Sequence, residues 1–180
     1  MAEDHGVESS ILSSPKLFLK MEDNKKKLEE LKIEYNLLGY KLPNFQELLD
    51  DFDLLKICEK DSGYLLRDIR KTIIEKLSAY LQLFELIINP ISPQLFIINL
   101  AKQFNEEDKK LIKQIYYEIS KLNLFSIKLD TIYIEEKEAE FVKTSFEKWS
   151  NLKKQIYDLL DKVDFQNEKT NLGNNSNYFG

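Results

Sequence analysis

Histidine, cysteine, arginine and glycine are all scarce in this 180-residue chain, and each shortage closes off a kind of chemistry. The one histidine, His5, lies in a polar stretch near the start of the sequence. Nucleophile–histidine catalysis therefore lacks its usual base. A di-iron carboxylate bundle lacks its Glu-x-x-His pairs. Cys58, the one cysteine, cannot form an internal disulfide, and with His5 alone it cannot complete a zinc set. It reads as a small buried apolar residue.

The five glycines are Gly6, Gly39, Gly63, Gly173 and Gly180, so none falls between Tyr64 and Leu172. A loop that cradles phosphate needs residues without a Cβ so that the backbone can approach the ligand. No G-x-G-x-x-G or G-x-x-x-x-G-K-[ST] pattern is present. A sandwich or barrel would also want frequent Gly, Pro, Asn and Asp turns, which the middle of the chain does not offer. Catalytic residues, metal ligands and cofactors are thus expected to be none, and long helices are what remains.

What is present is 43% hydrophobic and 32% charged, with a net charge of -5. That suits a real core and one domain with extensions. Lysine runs (Lys25, Lys26 and Lys27; Lys109 and Lys110; Lys153 and Lys154) sit beside acids and read as solvated helix faces. Residues 1–13 read as a disordered leader and 167–180 as a disordered Asn-rich tail. No secretory signal is evident, so a cytoplasmic location is expected, and Met21 offers a second start.

Helix signals follow one another along the chain. Ser14-Pro15 opens a helix as N-cap and first helical residue. Leu17, Met21, Asn24, Leu28, Leu31, Tyr35 and Leu38 then recur at spacings of four and three, before Gly39 as a C-terminal cap. This seam is either a coiled-coil arm with a register-fixing Asn24 or a helix packed on its own domain. Asn44 with Glu47 caps a short helix through Leu48, Leu49 and Phe52. The acids Asp50, Asp51 and Asp53 at its end read as a solvated patch rather than a metal site.

The strongest helix spans Gly63 to Asn89, with Leu66, Ile69, Ile73, Leu77, Tyr80, Phe84 and Ile87 on one stripe. Asn89-Pro90 ends it and Ser92-Pro93 opens another, carrying Leu95 to Phe104. Between Leu77 and Ala101 the only charge is Glu85. A membrane hairpin would need longer arms without Gln82, Gln94 and Asn99. A buried hairpin or a subunit interface is expected instead. Asn105 with Asp108 caps a further helix. Phe125–Ile134 alternates like a strand, yet Ile115, Leu122 and Leu129 continue a heptad. The expectation is helix to about Lys128 and a turn at Asp130-Thr131. A last helix runs from Glu135 to about Phe165.

The expected architecture is all-α, a bundle of five to six helices with an N-terminal helical arm. The arm covers 14–60 and the bundle 61–166, with a soft joint at Lys60–Gly63. The expected role is a non-enzymatic protein-protein interaction, as subunit, adaptor or self-associating chain, through apolar helix faces. The candidate contact residues are Asn24, Leu28, Leu31, Tyr35 and Leu38 on the seam and Ile91 and Phe96 near the hairpin turn. A nucleic-acid alternative uses Arg67, Arg70 and Lys71 with Lys109–Lys113. Only two of the 26 basic residues are arginine, Arg67 and Arg70. Such a choice suits bidentate pairing with carboxylate or phosphate. The partner would be another molecule, or, within the chain, acids such as Asp50–Asp53.

Overall fold

A computed structural model gives the fold. It describes residues 15–59, 63–89 and 95–163, and in the first helix the side chains from Asn24 onward. The described chain forms six α-helices: α1 (Pro15–Leu37), α2 (Phe45–Phe52), α3 (Leu65–Ile88), α4 (Leu95–Gln103), α5 (Glu106–Thr131) and α6 (Glu135–Leu160). A 3-10 segment, Leu54–Glu59, joins α2 to the region before α3. No strand occurs among the described residues. The expected all-α bundle is therefore what the chain forms, at the upper end of the expected helix count.

Local chemistry accounts for most helix boundaries. Pro15 is the first residue of α1, where a fixed φ and a missing N–H do no harm. Gly39 follows α1 with a φ of +74, a left-handed conformation that an L side chain would strain. The Asn44 side chain accepts hydrogen bonds from the backbone N–H groups of Gln46 (2.8 Å) and Glu47 (3.4 Å), capping α2. Asn89 ends α3, its N–H bonded to the Glu85 carbonyl. The expected openings at Ser14 and at Ser92-Pro93, and the break at Lys60–Ser62, lie outside the described residues, as do the leader and tail.

At α5 the capping box is complete. The Asn105 side chain accepts from the N–H groups of Glu107 and Asp108, both at 2.9 Å, and the Asn105 N–H donates to Asp108 Oδ2 at 3.1 Å. Replacing Asn105 with Ala should cost about 1 kcal/mol of stability, the usual worth of such a cap. Urea unfolding checks this, and an unchanged midpoint would mean that packing alone sets the start of α5.

The ambiguous stretch is helical through Thr131, somewhat beyond the expected Lys128, and Ile132 is extended. A lone strand there would have left its ladder groups unpaired. The last helix stops at Leu160, short of the expected Phe165, and a turn at Asp161-Lys162 follows.

α3 is the central rod, about 36 Å long at 1.5 Å per residue. It packs on α5, α6, α4, α2 and the 3-10 segment. Leu66, Ile69, Ile73, Leu77 and Phe84 along it are fully buried. Each such side chain contributes on the order of 1.5–3 kcal/mol by leaving water. Phe52 and Tyr80 each meet Trp149 with ring centroids 5.7 Å apart. Residues from both sides of the 60–63 joint enter one hydrophobic core: Leu48, Phe52, Leu54 and Ile57 before it, Ile69, Ile115, Phe141 and Leu159 after it. No helix among the described residues is long and apolar enough to cross a membrane.

Candidate functional site

The two arginines sit at the N-terminal end of α3, where the C-terminal end of α5 and the start of α6 converge on it. Arg70 is wholly buried and all three nitrogens of its guanidinium donate within the chain. Its Nε donates to Glu138 Oε2 at 2.7 Å and one terminal nitrogen donates to Asp130 Oδ1 at 2.7 Å. The other donates to Ser126, to the hydroxyl at 2.5 Å and the carbonyl at 3.0 Å. Burial works against the charge on Arg70, but the hydrogen bonds and charges of Asp130 and Glu138 outweigh it and raise its pKa above the ordinary value. Arg70 therefore clamps three helices together. Its pairing lies within the chain, with Glu138 and Asp130 as its acids rather than Asp50–Asp53.

Arg67, one turn earlier, lies between two aromatic rings. Its guanidinium carbon is 4.7 Å from the Tyr133 centroid and 5.2 Å from that of Tyr64. Its Nε stands 3.8 Å from Glu138 Oε1, too far for a hydrogen bond. Neither of those two buried atoms has a hydrogen-bond partner among the described residues. Glu138 thus faces both arginines and closes fully on only one. Lys71 is exposed and turned to solvent.

The acids around Asp50 are occupied by neighbours. Gln46 Nε2 donates to Asp50 at 2.8 Å, Lys153 pairs with the Asp51 carboxylate, and Lys56 lies 3.7 Å from Asp53. Lys76 crosses from α3 to donate to the Asp51 carbonyl, its Nζ lying 5.0 Å from the Trp149 ring. Burial lowers the Lys76 pKa. No group of three or more His, Cys, Asp or Glu residues among those described could hold a metal ion.

Several carboxylates are held below their ordinary pKa by hydrogen bonds from cations: Asp130 by Arg70, Asp108 by Lys162, and Glu118 by Lys121 and Lys148. A carboxylate depressed in the fold binds protons more readily when unfolded. Its contribution is therefore present above the unfolded value, about pH 4, and is lost as pH falls through the folded value. Denaturant midpoints should stay nearly level from about pH 7 to 5 and fall below about pH 4. Equal midpoints at pH 7 and pH 3 would show that these pairs do not couple to folding.

From Asn24 onward the heptad seam of α1 faces inward. Tyr35 is buried, its ring 5.3 Å from Phe45 and its hydroxyl donating to the Pro43 carbonyl at 2.8 Å. Burial pushes its phenol pKa up. Leu28, Leu31 and Leu38 are half-buried against the same core, and Asn24 is half-buried. From Leu28 to Leu38, the face that a coiled-coil partner would need is occupied by the chain's own core.

The hairpin end differs. Ile91 lies outside the described residues, while Phe96 is about half exposed, at 49%, and Leu95 is at 73%. Between the end of α3, α4 and the start of α5 runs a half-open groove of about 350 Å³. Ile87, Ile88, Ile98, Ala101 and Ile112 line it, together with Lys102, Lys109 and Lys113. Beside it a smaller hollow is lined by Glu85, Ile88, Asn89, Lys113, Tyr116 and Tyr117.

Glu138, Ser126 and Asp130, which the sequence reading passed over, carry the buried ion-pair site. Comparison with family models, with curated proteins and with solved structures finds no match to this chain.

Proposed function

We propose that this chain is a non-enzymatic helical interaction protein whose contact surface is the groove between α3, α4 and α5. The observation that supports it is apolar lining left open at a helix junction, with Leu95 and Phe96 exposed on the adjoining helix. Isoleucines in such a groove gain about 25 cal/mol for each Å² that a partner covers. Lysines at the edge would add selectivity more than affinity. Arg70 gives no support to nucleic-acid contact, because its guanidinium is spent inside the fold.

The test is a photo-crosslinking residue placed at Lys102, on the groove, and at Lys154, on the exposed face of α6 as control, in whole-cell extract. A product from position 102 that is absent from position 154, and lost when Ile98→Glu is added, is the expected result. Mass spectrometry then says whether the captured chain is a second copy or another protein. No position-102 product, or one unaffected by Ile98→Glu, overturns the reading.

A further inference from the structure

The bundle has two unlike ends. α3 and α5 run in opposite directions, so the Arg67 end of α3 meets the C-terminal end of α5, and the Ile88 end of α3 meets the start of α5. From Arg67 to Ile88 the rod covers about 30 Å at 1.5 Å per residue. At the first end, the connection from α5 to α6 is Ile132-Tyr133-Ile134. Ile132 (φ -153, ψ 133) and Ile134 (φ -134, ψ 111) are both extended. Residues two apart in extended chain point to the same side, and the one between points away. Tyr133 turns inward onto Arg67 and Tyr64, at 4.7 and 4.8 Å. Ile132 and Ile134 are left 61% and 41% exposed.

This tip is an apolar knob with acids directly behind it. Glu135 and Glu136 follow Ile134 in the first turn of α6. Arg67 and Arg70 are committed to Glu138 and Asp130, and Lys137 pairs with Glu140 at 2.7 Å. Lys71, whose charge reaches Asp130, and Lys128, both exposed, keep some positive charge there. At the other end lysines edge the groove, with Glu106 and Glu107 in the first turn of α5 and Glu85 sharing the neighbouring hollow with Lys113. The groove is apolar, and of its lysines Lys102 and Lys113 have no ion-pair partner among the described residues, while Lys109 is 2.9 Å from Glu106. A volume of about 350 Å³ admits side chains rather than a single water, whose share of the liquid is about 30 Å³.

We infer that the Ile132–Ile134 tip of one copy seats in the lysine-edged groove between α3, α4 and α5 of another, joining chains head to tail. The inference rests on the groove being a contact surface, as proposed above, and names its occupant. Both halves of the contact lie on every copy but on different surfaces, so it is heterologous and propagates unless the rotation closes a ring. A knob of two side chains buries little area, so the association is weak and concentration-dependent. Its ionic part weakens as salt shortens the screening length.

Purified wild-type chain in a sedimentation-velocity concentration series should rise from the 21.3 kDa monomer toward dimers and longer species, and shift back when salt is added. Lys102→Glu with Lys113→Glu should hold the chain monomeric, and so should Glu135→Lys with Glu136→Lys. Circular dichroism and cooperative unfolding confirm that each is folded. Mixed one to one, the two variants regain opposite charges at both kinds of junction, and association should return. Ile132→Ser with Ile134→Ser should abolish it without touching charge.

A wild type that stays monomeric at its highest soluble concentration overturns the inference. So does association that survives either charge variant, which would place the contact on another face. If the purified chain is monomeric while position 102 captures a different protein, the groove is a contact surface and only its occupant was wrong. If neither occurs, both readings fall.

Discussion

Replacing Arg70 with alanine is expected to lower the unfolding free energy by about 3–5 kcal/mol, the usual cost of removing one partner from a buried ion pair. The argument starts from Glu138, which is wholly buried and receives its only close hydrogen bond among the described residues from Arg70 Nε. Without that donor its carboxylate faces Arg67 at 3.8 Å and nothing nearer. The charge must then be hydrated, neutralised by a proton or moved, and each costs free energy in a packed interior. Asp130 loses less, because its side chain is 54% exposed and water replaces the lost bond. Arg70→Lys should recover part of the charge but not the geometry, since one ammonium cannot reach Glu138, Ser126 and Asp130 along three directions. Removing both charges, as Arg70→Met with Glu138→Leu, should restore most of the loss or exceed it. Urea midpoints at pH 7 measure all three. A loss below about 1 kcal/mol for Arg70→Ala would show that the pair is hydrated in solution and is no clamp.

The position of this network was written in the helical periodicity, though its partners were not. Leu66, Arg70, Ile73 and Leu77 step by four and three along the buried stripe of α3. Leu122, Ser126 and Leu129 do the same on α5, and Glu138, Val142, Ser145 and Trp149 on α6. A polar residue at an apolar stripe position is a signal that it will be buried and must be satisfied. Arg70, Ser126 and Glu138, from three helices, share one network, while Ser145, also on the α6 stripe, has no hydrogen-bond partner for its hydroxyl among the described residues. Which helix faces which is set by tertiary packing, and no single stripe carries that. Glu136 and Glu140, two residues to either side of Glu138, are exposed, so only its place on the stripe sets Glu138 apart.

Boundaries followed the same logic. Gly39, Asn44, Asn89 and Asn105 act through their own backbone and side-chain chemistry, so their roles were legible one residue at a time. The end of α6 was not, because no glycine or proline marks Leu160 and the apolar spacing runs on through Val163 and Phe165. The alternation Phe125, Ile127, Leu129, Thr131 and Tyr133 makes no strand: through Thr131 it lies on α5, where Leu129 is buried and Ile127 exposed. Only the link after it is extended, with Ile132 and Ile134 exposed and Tyr133 turned onto Arg67. In the α1 seam, Tyr35 shows why a heptad does not name its partner: the same spacing serves the chain's own core, where its ring meets Phe45.

Phe52→Ala should be as damaging as the loss of Arg70, at about 3–5 kcal/mol, and it tests a different joint in the molecule. Phe52 closes α2, is 1% exposed, and reaches across to Trp149 on α6 with Lys76 of α3 over both rings. Its removal leaves a cavity that neighbours on three elements must fill, and the lysine above it loses apolar cover. Trp149 is the only tryptophan, so its emission reports on this site alone. The native emission should be that of a buried indole, shifting to the red in the variant as water gains access. If residues 45–59 were an independent arm resting on a finished bundle, the variant would free the arm, expose Trp149 and leave the urea transition of α3, α5 and α6 in place. If they complete the core, the transition stays single and moves as a whole, by far- and near-ultraviolet circular dichroism and by fluorescence alike. The burial of Leu48, Phe52 and Leu54 in one cluster with Ile69, Ile73 and Trp149 requires the second outcome. Two separated transitions, with the later one at the wild-type midpoint, would refute it.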